Sequence, residues 1–251
     1  MLIAFLLINQ ILSDFILKNY SLLTRLLEAI PVIVGFMFFN KYKSTRVIYF
    51  IYFLLFVLLG EIIARYPGYL NTETFKWLKS LVFGTVFQRN YWWYTIFWVI
   101  GSSVFYAFYF HNSIKVKLFR GLIKWITISF VIASIFYLSF YWDNLRNSSS
   151  YFINVYSLIN LLVIIVLFFL DILTSSVHIK LYKQIDFHIA FILLIWWLII
   201  TPLMFFNDYF NALDEQYTNL QWFIRFFANV FMYIGFSLVL IFGKPEKTIN
   251  E

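Results

Sequence analysis

The chain has 251 residues, 63% of them hydrophobic and only 12% charged, whereas a water-soluble domain carries about 25% charged residues. So few charges cannot give a globule of this size a polar shell, which excludes an ordinary soluble domain; the absence of cysteine excludes disulfides, thiolate metal sites and cysteine nucleophiles. The formal charge of +7 falls in short clusters between apolar runs rather than along one continuous face, so it reads as membrane topology and not as a nucleic-acid surface.

In chain order, apolar segments run at about 1–17, 22–40, 47–64, 91–110, 121–141, 151–173, 187–206 and 219–243. Each approaches the roughly 20 residues a helix needs to cross the hydrocarbon core. They predict an all-α fold, a polytopic transmembrane helical bundle of eight spans forming a single domain over 1–251. The count falls to seven if the first segment, which is short and carries Asn9, Gln10 and Asp14, does not cross. That segment lacks the basic start and the small-residue cleavage site of a signal sequence, so it is read as a span. Pro31 and Pro202 fall inside the second and seventh segments, where each removes one helical hydrogen bond. Between 65 and 90, Phe75, Leu78, Leu81 and Val82 recur at helical spacing opposite Glu73, Lys76 and Lys79. This pattern fits a short interfacial helix near 72–84 on the outer surface, or an ordered loop. Tyr91, Trp92, Trp93 and Tyr94 then open the next span where an aromatic belt is expected at the headgroup level.

Positive residues are retained on the cytoplasmic side. With eight spans and the N-terminus inside, the inner segments hold Lys41, Lys43, Arg46, Lys115, Lys117, Arg120, Lys124, Lys180, Lys183, Lys244 and Lys247 against Asp171, Asp186, Glu246 and Glu251. The whole +7 excess lies there, and the outer segments balance. Seven spans with the N-terminus outside give the same distribution, so the C-terminus is expected to be cytoplasmic in either case.

Ionisable groups within a span cost several kcal/mol unless paired or hydrated, which makes each a candidate site. Arg25 and Glu28 open the second segment, Glu61 and Arg65 end the third, and Arg225 stands near the start of the last. The first two pairs are spaced to meet on one helix face, whereas Arg225 has no intrahelical partner. Arg225 is therefore expected to point into the bundle and pair with Glu28 or Glu61, with Asn229 one turn deeper. Such a strip is either an outward-facing pocket for a ligand or proton, or a buried ion-pair network that fixes packing while Arg25 and Arg65 snorkel to the interface.

Chemistry beyond this has little support. His111, His178 and His188 fall near the cytoplasmic ends of three spans, together with Asp171 and Asp186. A zinc site needs ligands at suitable spacing, and neither H-x-x-x-H nor H-E-x-x-H occurs. The nucleophile-elbow pattern G-x-S-x-G and the phosphate-loop fingerprint are missing too, so no catalytic residue, metal or cofactor is assigned.

Arg25-Leu26-Leu27-Glu28, the turn Lys41-Tyr42-Lys43-Ser44-Thr45, Gly60-Glu61-Ile62-Ile63 and Asn90-Tyr91-Trp92-Trp93-Tyr94 carry a resemblance that covers most of the chain. Asp186-Phe187-His188 through Thr201-Pro202, and Asn229 with Tyr233, belong to it as well. In these the chain resembles small multi-span proteins of unknown function from the Bacteroidetes, departing from them at His188, where a tryptophan would be expected. The resemblance implies a bacterial inner-membrane location and supplies no catalytic residues. The expectation is a non-enzymatic, sensor-like or accessory subunit in contact with the lipid bilayer and acting through a membrane-protein partner. A small transporter using the outer polar residues is the alternative, and a lipid-directed enzyme the third.

Overall fold

The computed structural model describes residues 2–174, 184–206 and 215–244. Among them no strand forms, and seven helices are long and apolar enough to cross a membrane. We label these helices α1 (Leu2–Met37), α2 (Val47–Ile63), α3 (Tyr91–His111), α4 (Lys117–Tyr141), α5 (Tyr151–Thr174), α6 (Ile185–Phe206) and α7 (Glu215–Phe242). Helix is the element such sequences must adopt in lipid, because it satisfies its backbone groups within the segment. The outward faces are apolar: Trp125, Ile132, Phe136 and Phe140 on α4 are exposed. Glu28, Thr95, Ser103, Ser134, Asn160 and Asp171 are buried instead. Apolar outside and polar inside is the arrangement a bilayer demands, and the seven helices make the chain a polytopic integral membrane protein.

The first two apolar segments form one helix, α1, rather than two. The expected break fell at Lys18-Asn19-Tyr20-Ser21, a stretch with neither glycine nor proline. Polar side chains in and after it bond back along the helix: Asn19 Nδ2 donates to the Phe15 carbonyl and Arg25 Nε to the Ser21 carbonyl, both at 2.9 Å. Nothing there forces the chain out of helix. The connection around 65–90 contains the expected short helix, Lys76–Val82, preceded by a 3₁₀ turn at Glu73–Phe75. Trp77 and Leu81 on it, and Phe83 just beyond, are exposed.

The chain divides into two compact units, Met1–Thr45 with Lys183–Glu251, and Arg46–Tyr182. In the first, α1 and α7 run parallel: Tyr20 packs on Trp222, Glu28 meets Tyr233, and Tyr42 reaches Leu240. Helix α6 is antiparallel to α7, since Trp196 meets Asn229 and Ile192 lies against Gly235. Ile200, Leu203 and Ala228 form a buried cluster between α6 and α7.

In the second unit, α2 runs antiparallel to α3 along an aromatic seam. Phe53 stacks on Phe105 with centroids 3.9 Å apart, and Phe50 and Tyr49 meet Tyr109 and Phe108. The outer end of that hairpin is stitched by hydrogen bonds: Trp93 Nε1 donates to the Gly60 carbonyl, Asn90 Nδ2 to the Ala64 carbonyl, and Trp92 Nε1 to the Tyr66 hydroxyl. The tryptophans expected as a lipid belt therefore also hold α2 to α3. Helix α3 contains a π-helical stretch, Tyr94–Ile100, a form that widens the helix and disturbs its regular hydrogen bonding. Ser157 on α5 donates to the Val99 carbonyl within it at 3.3 Å.

Candidate functional site

The polar residues expected at one site divide between the two units. Glu28, Arg25, Arg225 and Asn229 belong to the first, Glu61 and Arg65 to the second.

In the first unit a polar seam runs between α1, α6 and α7. On α7, Arg225, Asn229 and Tyr233 follow one another at four-residue spacing and so share a face. Glu28 is 6% exposed, and its Oε1 accepts a hydrogen bond from the Tyr233 hydroxyl at 3.2 Å. Asn229 Oδ1 accepts from Trp196 Nε1 at 3.1 Å. An indole nitrogen only donates, so this contact fixes which end of the amide faces Trp196. Arg225 is half-buried, and its Nε is fully covered with no hydrogen-bond partner among the described residues. The Thr24 and Thr201 hydroxyls share that condition. Arg25 turns back along its own helix, its Nε donating to the Ser21 carbonyl.

In the second unit Glu61 Oε2 accepts from the Tyr94 hydroxyl at 2.7 Å, joining the end of α2 to the first residue of the π-helical stretch of α3. Arg65 lies half-buried just beyond α2.

Sequence reasoning missed two polar assemblies in this unit. Asn160, fully buried on α5, donates from Nδ2 to Ser103 Oγ at 2.8 Å and accepts at Oδ1 from Thr127 at 3.3 Å, tying α3, α4 and α5 together at mid-span. Asp171, at the end of α5, accepts from the backbone N–H of Lys115 at 3.0 Å and of Val116 at 2.7 Å. It thereby supplies a carboxylate to the start of α4, where unpaired N–H groups and the helix dipole favour negative charge. The available signal was a polar residue in an apolar run, which marks importance without naming the partner helix.

The opposite end of the first unit is closed by the turn after α1. Lys41 Nζ donates to the Ile241 carbonyl at 2.9 Å, and the Tyr42 hydroxyl is shared between the Leu240 and Gly243 carbonyls at 2.8 and 3.0 Å. These carbonyls end α7 and have no helical donor, so the two side chains cap it. Burial pushes the Tyr42 hydroxyl up to about 12 and lowers Lys41 from its ordinary value.

His111 lies in the second unit with its ring 3.4 Å from Asn112 Oδ1, and His188 in the first packs against Phe187. His178 lies outside the described residues. Among those residues no three metal-ligating side chains come together. Comparison with protein-family models, with curated proteins and with solved structures finds no match to this chain.

Proposed function

We propose that the protein is a non-enzymatic, sensor-like membrane subunit: the α1–α6–α7 seam responds to a small polar solute, and a membrane partner reads the resulting helix movement. The observation that carries the reading is the Arg225 guanidinium, whose covered Nε has no hydrogen-bond partner among the described residues, on the same helix face as the buried Glu28–Tyr233 contact. A buried donor without an acceptor costs about 1–3 kcal/mol or more when charged, so a seam that retains one gains from a polar guest. Helix packing in lipid rests on such polar contacts, because lipid supplies no hydrophobic drive between helices. A bacterial inner membrane with the C-terminus cytoplasmic is the location this reading takes. Lys41 donates to the last turn of α7 and Lys244 follows that same helix end, so basic side chains gather at one end of the unit, which supports the orientation.

The chain contains no cysteine, so label pairs can be placed cleanly. Spin labels at Leu26→Cys and Leu238→Cys, both on exposed positions of α1 and α7, report their spacing. In folded Tyr233→Phe and Glu28→Leu variants the spacing should shift or split into two populations. An unchanged spacing in folded variants makes the seam a static packing element and overturns the proposal.

A small transporter is the second reading, favoured by Pro31 in α1 and Pro202 in α6. Each proline lacks the N–H that would serve the carbonyl four residues earlier, on Leu27 and Leu198, and carbonyls released in this way are suited to ion coordination. Solute accumulation in proteoliposomes would favour it over the sensor-like reading.

A further inference from the structure

We infer that the level of the seam marked by Thr24, Thr201 and Arg225 is a binding site for a small oxyanion, a carboxylate or phosphate group. The inference rests on the solute-responsive reading above and adds the chemical class of the solute.

The helix register brings the three residues within about one helical turn of one another. Tyr20 packs against both Trp222 and Phe226, and Glu28 meets Tyr233, so Thr24 stands between these contacts, near the level of Ala228. On α6, Trp196 meets Asn229 and the Ile200–Leu203 cluster packs on Ala228, which puts Thr201 in the same layer. Three covered polar atoms, one from each helix, thus lie within about one turn of one another without hydrogen-bond partners among the described residues.

Their chemistry selects the guest. The Arg225 Nε–H can only donate, and both threonine hydroxyls can donate. Asn229, whose carbonyl oxygen accepts from Trp196, carries an amide NH₂ that can only donate. A guest must therefore accept several hydrogen bonds beside a guanidinium, which a carboxylate or phosphate does and a cation cannot. Glu28 lies one turn along α1 from Thr24, and its Oε1 accepts from Tyr233 in the next layer of α7.

The full chain in phosphatidylcholine nanodiscs tests this by its thermal unfolding temperature during titration with sodium acetate or inorganic phosphate, over a constant chloride background. A parallel preparation containing phosphatidylglycerol, without free phosphate, distinguishes a lipid headgroup from a soluble ion. A saturable rise with at least one of the three is expected. Thr24→Val and Thr201→Val should each weaken apparent affinity on the order of 10-fold, whereas the corresponding serine variants keep it. Arg225→Gln should abolish the response; Arg225→Lys, which keeps the charge without the planar fork, should weaken it by about 10-fold or more and serves if the glutamine variant does not fold. No saturable response in the wild type, or an undiminished one in the folded arginine variants, overturns the inference. A response to potassium or glycerol but to no oxyanion removes the anion and leaves the responsive seam standing; no response to any of these probes removes both.

Discussion

Asp171 accepts two backbone N–H groups at the start of α4, and its removal would take that acceptor from both donors. Asp171→Ala should therefore lower stability by about 1–3 kcal/mol in denaturant titration of the detergent-solubilised protein, and Asp171→Asn, which keeps an acceptor oxygen, by less. A loss as large for asparagine as for alanine would assign the effect to charge rather than to the hydrogen bonds. Tyr42 gives a pH dependence of defined sign. Its folded-state value of about 12 lies above the ordinary 10.0, so the fold favours the neutral hydroxyl that donates to the end of α7. That stabilisation is complete below about pH 10 and is lost as pH rises through about 12. Lys41 opposes it: its lowered value means that the fold disfavours the charged amine, a cost relieved as pH rises towards 10.5. Compared in a Lys41→Met background, the stability advantage of Tyr42 over Tyr42→Phe should shrink between about pH 10 and 12; a constant difference would show that the hydroxyl does not titrate as argued.

Among the elements, the spans from α2 onwards were legible in the sequence because a bilayer imposes length and composition on every crossing. The break in α1 was misplaced because polarity alone marked it, and polar side chains that bond along their own helix do not end it. The π-helical stretch of α3 left no sequence signal, and neither did the Ser157 hydroxyl of α5 that meets its Val99 carbonyl. Partners were illegible for the same reason. Glu28 stood out as a buried acid, but Tyr233, 205 positions later, is invisible to local spacing. The close approach of α6 to α7 depends on small residues. A Cβ at Gly243 would overlap Ile185 Cγ1 and the Val239 carbonyl oxygen, whereas one at Gly235 meets chiefly the flexible end of Ile192 at 2.9 Å. Gly243→Ala should cost about 1–3 kcal/mol, and Gly235→Ala less, in the same unfolding assay. For α3 and α5, a double-mutant cycle of Asn160→Ala with Ser103→Ala should return a coupling of about 0.6 kcal/mol, and no more than about 1.7, the average and the maximum for hydrogen bonds between membrane helices. Additive losses would mean that the buried amide and hydroxyl contribute independently.

For the whole molecule, the directions of the helices within each unit can be compared with alternate crossing of a bilayer. Seven successive crossings make α1 and α7 parallel and α6 antiparallel to them, and these are the directions the side-chain contacts of the first unit require. In the second unit α2 opposes α3, α4 opposes α5, and α3 and α5 agree, since Ser103 meets Asn160 and Phe110 meets Phe168. The two parallel relations, α1 with α7 and α3 with α5, would fail if one helix between the pair lay on the surface instead of crossing. Alternation then puts the turn at Lys43 and the end at Lys244 on one side, and the connections containing Ser80 and Ser148 on the other. In the orientation proposed above from the basic residues, the first side is the cytoplasmic one. Single cysteines at these four exposed positions, treated with a membrane-impermeant maleimide on intact cells, should label at Ser80→Cys and Ser148→Cys and remain protected at Lys43→Cys and Lys244→Cys until the membrane is opened. Labelling of Ser80→Cys and Lys43→Cys from the same side would mean that α2 does not cross, and the seven-span alternation would fall with it. The inverse pattern at all four positions would keep the seven crossings and reverse the orientation, overruling the charge distribution as its determinant.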